Sequence, residues 1–243
     1  MPASRWSFPH PDTADADGLV GVGADLAPET LVHAYRNGIF PWPHHGVRKL
    51  PWFSPDPRGV LPLDRLRVSR SLRQTMRRSG WTTTMDHAFA EVVRACAVRP
   101  GEGTWIIPAM QAAYQQLHEL GVAHSVEVWD GDLLVGGLYG VRSGGVFTGE
   151  SMFHRATDAS KVAVADLVDR MNEARAGLID VQLMTDHLAS LGALPIPRPL
   201  FLELLEELRD DDITLPTDRR PAARLAGGTG PSADVGDEEL RTA

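Results

Sequence analysis

Four groups of residues in this sequence carry side chains able to do chemistry. The run Leu178-Ile179-Asp180-Val181-Gln182-Leu183 has the length and composition of a strand. Side chains alternate along a strand, so Asp180 and Gln182 share one face. Polar groups inside a sheet are costly unless paired. Two readings stay open: a satisfied buried pair, towards which periodicity leans slightly, or a charged and a neutral hydrogen-bonding group aimed at a ligand. In Gly149-Glu150-Ser151-Met152-Phe153-His154, a carboxylate stands beside two large apolar residues. That is either a solvated strand end or the rim of a pocket for something both cationic and apolar. Trp42 and Trp105 stand in loop sequence, where tryptophans either plug a core edge or stack on bases, each worth roughly 1–3 kcal/mol. Finally, 65–78 holds Arg65, Arg67, Arg70, Arg73, Arg77 and Arg78 with no acid. A phosphate-binding face and a solvated helix face fit that charge equally.

Composition narrows the classes. The 243 residues are 43% hydrophobic and 23% charged, which excludes collagen-like, low-complexity and wholly disordered chains. No apolar run reaches the roughly 18 residues of a membrane span, and the first residues lack the apolar core of a secretory signal. The one cysteine, Cys96, fits a reducing compartment as a small core residue. Nine histidines show no metal-ligand spacing, so no metal is expected. The net charge of −8 argues against nucleic acid only until its distribution is considered. Residues 203–243 hold 11 acidic and 5 basic residues, so most of the negative charge sits at one end.

The elements that must position these groups follow from periodicity and punctuation. Residues 1–24 read as an extended arm, followed by a short helix with Pro28 in its first turn and Gly38 past its end. Residues 38–59 are crowded with Pro, Gly and aromatics and read as a loop. The aromatics there either pack a domain junction or form a stacking surface. Val60–Leu63 reads as an edge strand because of Pro62. Ser69 caps a helix to about Ser79, a strand covers Trp81–Met85, and helices follow from Asp86 to Cys96 and from Pro108 to Leu120. A meander covers Ala123–Trp129, Leu133–Val141 and Val146–Ser151, with hairpin signals at Asp130-Gly131 and Ser143-Gly144. A long helix starts at Asp158 or Ser160, stops at Gly177, and leads into the strand Leu178–Leu183. Leu200–Leu208 is the last helix. The result is an α+β fold with a mixed, mainly antiparallel sheet. The expected boundaries are a small N-terminal domain over 1–58, a main domain over 59–216, and a disordered, dispensable acidic tail over 217–243.

Taken together, the sequence resembles the leucyl/phenylalanyl-tRNA–protein transferase family. The resemblance rests on GxGADLAPETLxxAYxxGIFPW (21–42), WFSPDPRGVL (52–61), GTWI (103–106), LHELGxAHSVEVW (117–129), LVGGLYGV (134–141), GESMFxRxxDASKVA (149–163), LIDVQ (178–182) and HLASLGA (187–193). These motifs run in one order across roughly 20–205, and GIFPW, WFSPDPR, GESMF and DASK together are very specific.

The resemblance implies an enzyme that takes Leu, Phe or Met from aminoacyl-tRNA. It joins that residue to a protein beginning with Arg or Lys, marking it for N-degron degradation. It implies a small N-terminal domain before a domain like the GCN5-type acetyltransferases (GNAT-like), no cofactor, and a cytoplasmic monomer with no membrane partner. By resemblance, Trp42 and Trp105 hold the terminal adenosine, with Leu167 standing where a better-known member has Phe. Leu138, Phe147, Met152, Ile179 and Met171 line the amino-acid pocket. Glu150, Asp180 and Gln182 form the reacting centre, and Arg70, Arg73, Arg77 and Arg78 face the tRNA backbone.

Two other functions are weighed. An acetyl-CoA-dependent N-acetyltransferase needs a pyrophosphate loop between strand and helix. The nearest match, Arg142-Ser143-Gly144-Gly145-Val146-Phe147, fails at its last position and lies in a hairpin. A non-catalytic tRNA-binding adaptor uses the Arg helix and the tryptophans but leaves Asp180, Gln182 and the Met152 pocket unexplained.

Overall fold

The structure is a computed structural model that describes residues 2–44, 46–98 and 104–227. In chain order the elements begin with β1 (Leu19–Val22), α1 (Pro28–Tyr35), β2 (Phe40–Pro41), β3 (Pro51–Phe53), β4 (Arg58–Pro62) and α2 (Arg70–Arg78). They continue with β5 (Thr82–Met85), α3 (Phe89–Ala97), α4 (Pro108–Glu119), β6 (Ala123–Asp130), β7 (Leu133–Ser143) and β8 (Val146–His154). The last are α5 (Ala159–Glu173), β9 (Leu178–Gln182), α6 (Asp186–Ser190), β10 (Leu194–Ile196), α7 (Arg198–Leu208), β11 (Arg220–Pro221) and a 3₁₀ segment Ala222–Gly227.

Strands β4 to β11 form one eight-stranded sheet in the order β10-β4-β9-β8-β7-β6-β5-β11. Every pair is antiparallel except β8–β9, which α5 connects. A parallel pair needs such a crossover, whereas the antiparallel meander needs only tight turns. Neighbouring residues of β7 serve opposite cores. Leu138 belongs to the core that includes α2 and α5, while Tyr139 belongs to the one that includes α3, α4 and the N-terminal strands. Gly136 lets α5 start directly on the sheet, since a Cβ there would stand 2.5 Å from that of Ala159.

Three readings from sequence change here. Strand β4 is internal rather than an edge, because β10 covers Arg58, Gly59 and Val60 and stops short of Pro62. The arm and the aromatic loop instead supply a three-stranded sheet, β1-β3-β2, whose Phe40 and Trp52 are buried. Short strands punctuated by proline carry no periodic signal. The expected tail also fails from 217 to 227. Arg220 and Pro221 pair with Thr83 and Thr82, and Ala222, Leu225 and Ala226 are buried against α2 and α5. The buried Arg170 donates to the Pro216 and Asp218 carbonyls, and Arg224 pairs with the buried Asp166. The acidic average of 203–243 concealed a segment that is itself basic, with one acid against three arginines over 217–227, and is held by α5's own charges. The rest of the expected tail, 228–243, lies outside the described residues.

Candidate active site

The site lies where two parallel strands separate. β8 and β9 pair only at Val146–Leu178, Phe147–Ile179 and Thr148–Asp180, and then diverge. Both strands change conformation just past that point. In β8, Glu150 is an extra residue, because Tyr139 pairs with Ser151 and Gly140 with Gly149. Such a bulge re-aims a side chain. Gly140 permits it, since a Cβ there would strike the Thr148 carbonyl and the Phe147 ring. In β9, Gln182 adopts a left-handed backbone, φ 64°. That conformation is costly for a residue with a side chain and gathers at functional sites.

These two distortions bring Glu150 and Gln182 together, with Gln182 Nε2 donating to Glu150 Oε1 at 3.0 Å. Tyr35 Oη donates to the same oxygen at 2.7 Å, and Tyr114 Oη lies within hydrogen-bond distance of Oε2, at 2.7 Å. Burial raises the Glu150 carboxyl to a pKa of about 7, with the Asp180 charge adding in the same direction and the hydrogen bonds opposing. Burial, and then the Glu150 charge, also push both tyrosines well above their usual pKa.

Asp180 is placed differently from the expectation. Its two oxygens take Arg58 Nε and Nη2 at 2.8 and 2.7 Å, and Thr148 and the Gln182 N–H complete the set at 3.1 and 2.9 Å. Arg58 lies over the rings of Phe40 and Phe201, 5.0 and 4.5 Å from their centroids. Asp180 is fully buried and lines neither cavity of the site. Its oxygens are taken up by Arg58, Thr148 and the Gln182 backbone N–H. The alternation argument put the two side chains on one face, and the left-handed turn at Gln182 breaks it.

Two cavities share Glu150, Ser151, Met152, Val181, Gln182 and Leu188 as a common wall. The larger, about 370 Å³, has Trp42 and Trp105 on it, with Phe40 and His187. Both tryptophans are half-buried, so part of each side chain stays exposed, and Trp42 packs beside His44 and Phe53. The smaller, about 120 Å³, is apolar and lined by Leu61, Leu138, Leu167 and Ile179 as well as the shared Met152. An apolar cavity of roughly 150 Å³ accepts benzene, so this one has the size of a single large apolar side chain. Leu167 thus stands in the small cavity rather than beside the tryptophans. Phe147 and Met171 are buried behind it and are absent from its described lining. In each case the helical or strand register was legible, but the depth of the side chain depended on what packs above it.

Helix α2 forms a third feature. Ser69 Oγ caps it by accepting the Leu72 N–H, and Leu72 and Met76 bury its inner face. Arg70, Arg73, Arg77 and Arg78, with Gln74, line a concavity of about 280 Å³ on the outer face. Arg73 is partly committed to the Val68 carbonyl. Sequence reasoning did not mark Tyr35, Tyr114 or Arg58 as site residues. Tyr35 and Arg58 were legible only as parts of motifs. The Arg142–Phe147 run spans the β7–β8 hairpin, so it does not join a strand to a helix.

Comparison with known proteins gives a consistent picture. Residues 60–206 match the leucyl/phenylalanyl-tRNA protein transferase family, and residues 24–56 match the N-terminal domain of the same family. A leucyl/phenylalanyl-tRNA–protein transferase of Stutzerimonas stutzeri is 55% identical over 203 residues, covering 82% of this chain and 89% of that protein. One from Shewanella denitrificans is 51% identical over 200 residues, covering 82% and 85%. One from Chromohalobacter salexigens is 48% identical over 245 residues, covering 97% and 94%.

Proposed function

Because the chain belongs to the leucyl/phenylalanyl-tRNA–protein transferase family, we propose that it moves Leu, Phe or Met from aminoacyl-tRNA onto proteins beginning with Arg or Lys. The observation that carries this reading is the pair of cavities meeting at Glu150 and Gln182. One is apolar and the size of a side chain. The other carries two half-buried tryptophans, as a site for a nucleoside requires. The acyl ester linking the two halves of such a substrate then lies at their common wall.

The chemistry needs little beyond positioning. An aminoacyl ester is already activated, so the acceptor amine attacks its carbonyl carbon directly. A C–N bond forms, the C–O bond to the ribose breaks, the amine loses a proton, and the departing ribose hydroxyl gains one. Holding the amine and ester in line supplies several kcal/mol. Gln182, steered by the Glu150 bond and the left-handed backbone, offers its amide oxygen to the amine. Asp180 acts through Gln182 and through its ion pair with Arg58. The outer face of α2 supplies phosphate contacts for the tRNA backbone. A marked protein enters N-degron degradation, and the enzyme works as a cytoplasmic monomer.

The test is transfer of radiolabelled leucine from leucyl-tRNA to a peptide beginning with Arg, beside one beginning with Ala. Incorporation into the first alone is expected. Equal incorporation, or none with intact charged tRNA, overturns the reading. A second arm with acetyl-CoA and the same peptides separates the N-acetyltransferase alternative.

A further inference from the structure

The oxygens of Tyr35, Tyr114 and Glu150 form a closed triangle. Tyr35 Oη and Tyr114 Oη stand 2.8 Å apart, and each is 2.7 Å from a different Glu150 oxygen. Each of these three contacts is a hydrogen-bond distance and needs one proton. Two hydroxyls bring only two. With an ionised carboxylate, both hydroxyls donate to it and their own contact holds two facing lone pairs. A protonated carboxyl supplies the missing proton: Glu150 Oε2–H donates to Tyr114, Tyr114 to Tyr35, and Tyr35 to Oε1.

We propose that Tyr35, Tyr114 and Glu150 share three protons in a closed ring, so that Glu150 rests as the neutral acid and the two tyrosines are positioning residues of the site. The ring spans three elements, since Tyr35 comes from α1, Tyr114 from α4 and Glu150 from the bulge in β8. It therefore ties the N-terminal helix to the sheet where the strands part. Gln182 Nε2 donates to Oε1, which in the neutral acid is the carbonyl oxygen. That bond fixes which end of the Gln182 amide faces Glu150 and leaves the amide oxygen on the cavity side.

The surroundings favour the neutral state. From β9, the Asp180 charge faces Glu150 but is matched by Arg58 of β4. Tyr139 of β7 contributes a further phenol beside the two tyrosines. His187, from α6, lines the same large cavity. Among the described residues no cation hydrogen-bonds to Glu150. The direction of its pKa, raised by burial, agrees with the proton count.

The experiment needs no tRNA and so passes or fails independently of the proposed transfer reaction. Infrared difference spectra of the whole protein against Glu150→Gln report the carbonyl stretch of a neutral buried carboxyl. The band is expected below about pH 6 and is lost as pH rises through neutrality. Thermal melting gives a second readout. A carboxyl whose pKa is raised in the folded state stabilises below its unfolded value, near 4.5, and loses that contribution as pH rises towards about 7. Melting of the unaltered protein should therefore fall across this window relative to Glu150→Gln. Glutamine offers a carbonyl acceptor at one end and an N–H donor at the other, as the neutral acid does, with one further N–H, and closes the same ring without titrating. Tyr35→Phe and Tyr114→Phe each open the ring, and each should move the titration midpoint of the band. Absence of the band at about pH 6 overturns the proposal. So does a midpoint unchanged in both tyrosine variants.

Discussion

Arg58 and Asp180 are enclosed together, joined by two hydrogen bonds of 2.8 and 2.7 Å, at about 1% exposure each. The pair joins β4 to β9 directly beneath Gln182. Removing one partner leaves an uncompensated buried charge, which costs roughly 3–5 kcal/mol. Asp180→Asn should therefore lower the melting temperature sharply, and its loss of transfer should follow the loss of folded protein. A variant that melts like the unaltered enzyme but has lost only its peptide dependence would put Asp180 back in direct contact with the acceptor.

The small cavity should govern which amino acid is used. Met152→Ala widens it and removes apolar packing, worth roughly 1–3 kcal/mol for a side chain of leucine size. Use of leucyl-tRNA should drop, with phenylalanyl-tRNA tolerated relatively better. The ratio of kcat/KM for the two charged tRNAs reads this directly. An unchanged ratio would mean that the transferred side chain sits elsewhere.

Phosphate binding by α2 has a signature that a solvated face lacks. Arg70, Arg77 and Arg78 are exposed, whereas Arg73 is half-buried. Changing the first three to Ala should weaken binding of different tRNAs alike. The slope of log affinity against log salt should fall by up to about 0.9 for each duplex phosphate that the helix no longer neutralises. An unaltered slope would leave the helix as a solvated face.

The C-terminal segment gives two different truncations. Stopping after Gly227 keeps β11, Leu225 and Arg224. Stopping after Thr217 removes β11, the buried Leu225, and the Arg224 partner of Asp166. Losing a partner from that buried network costs roughly 3–5 kcal/mol. Equal stability of the two proteins would show that the segment merely rests on α2.

Much of this architecture was present in local sequence. Ser69 as a helix cap and the two Gly turns of the meander act through their nearest neighbours, so they read correctly one residue at a time, whereas the long helix ends at Glu173 with Arg175, rather than Gly177, in the left-handed conformation. The motif order carried the family, because GIFPW, WFSPDPR, GESMF and DASK require no contact to be recognised. What tertiary structure alone decided was orientation and partnership. Whether Asp180 faces a ligand or Arg58 depends on a strand more than a hundred residues earlier in the chain. The left-handed turn at Gln182 and the bulge at Glu150 are single-residue departures from strand geometry, and no periodicity announces them. Tyr35, Tyr114 and Glu150 lie on three separate elements, and their shared protons follow from distances that only packing sets. Composition was most misleading at 217–227, where the acidic average of 203–243 concealed a locally basic segment that pairs with buried charges on α5. A charge run reports the average field of a segment, whereas burial is determined by the individual partners it meets.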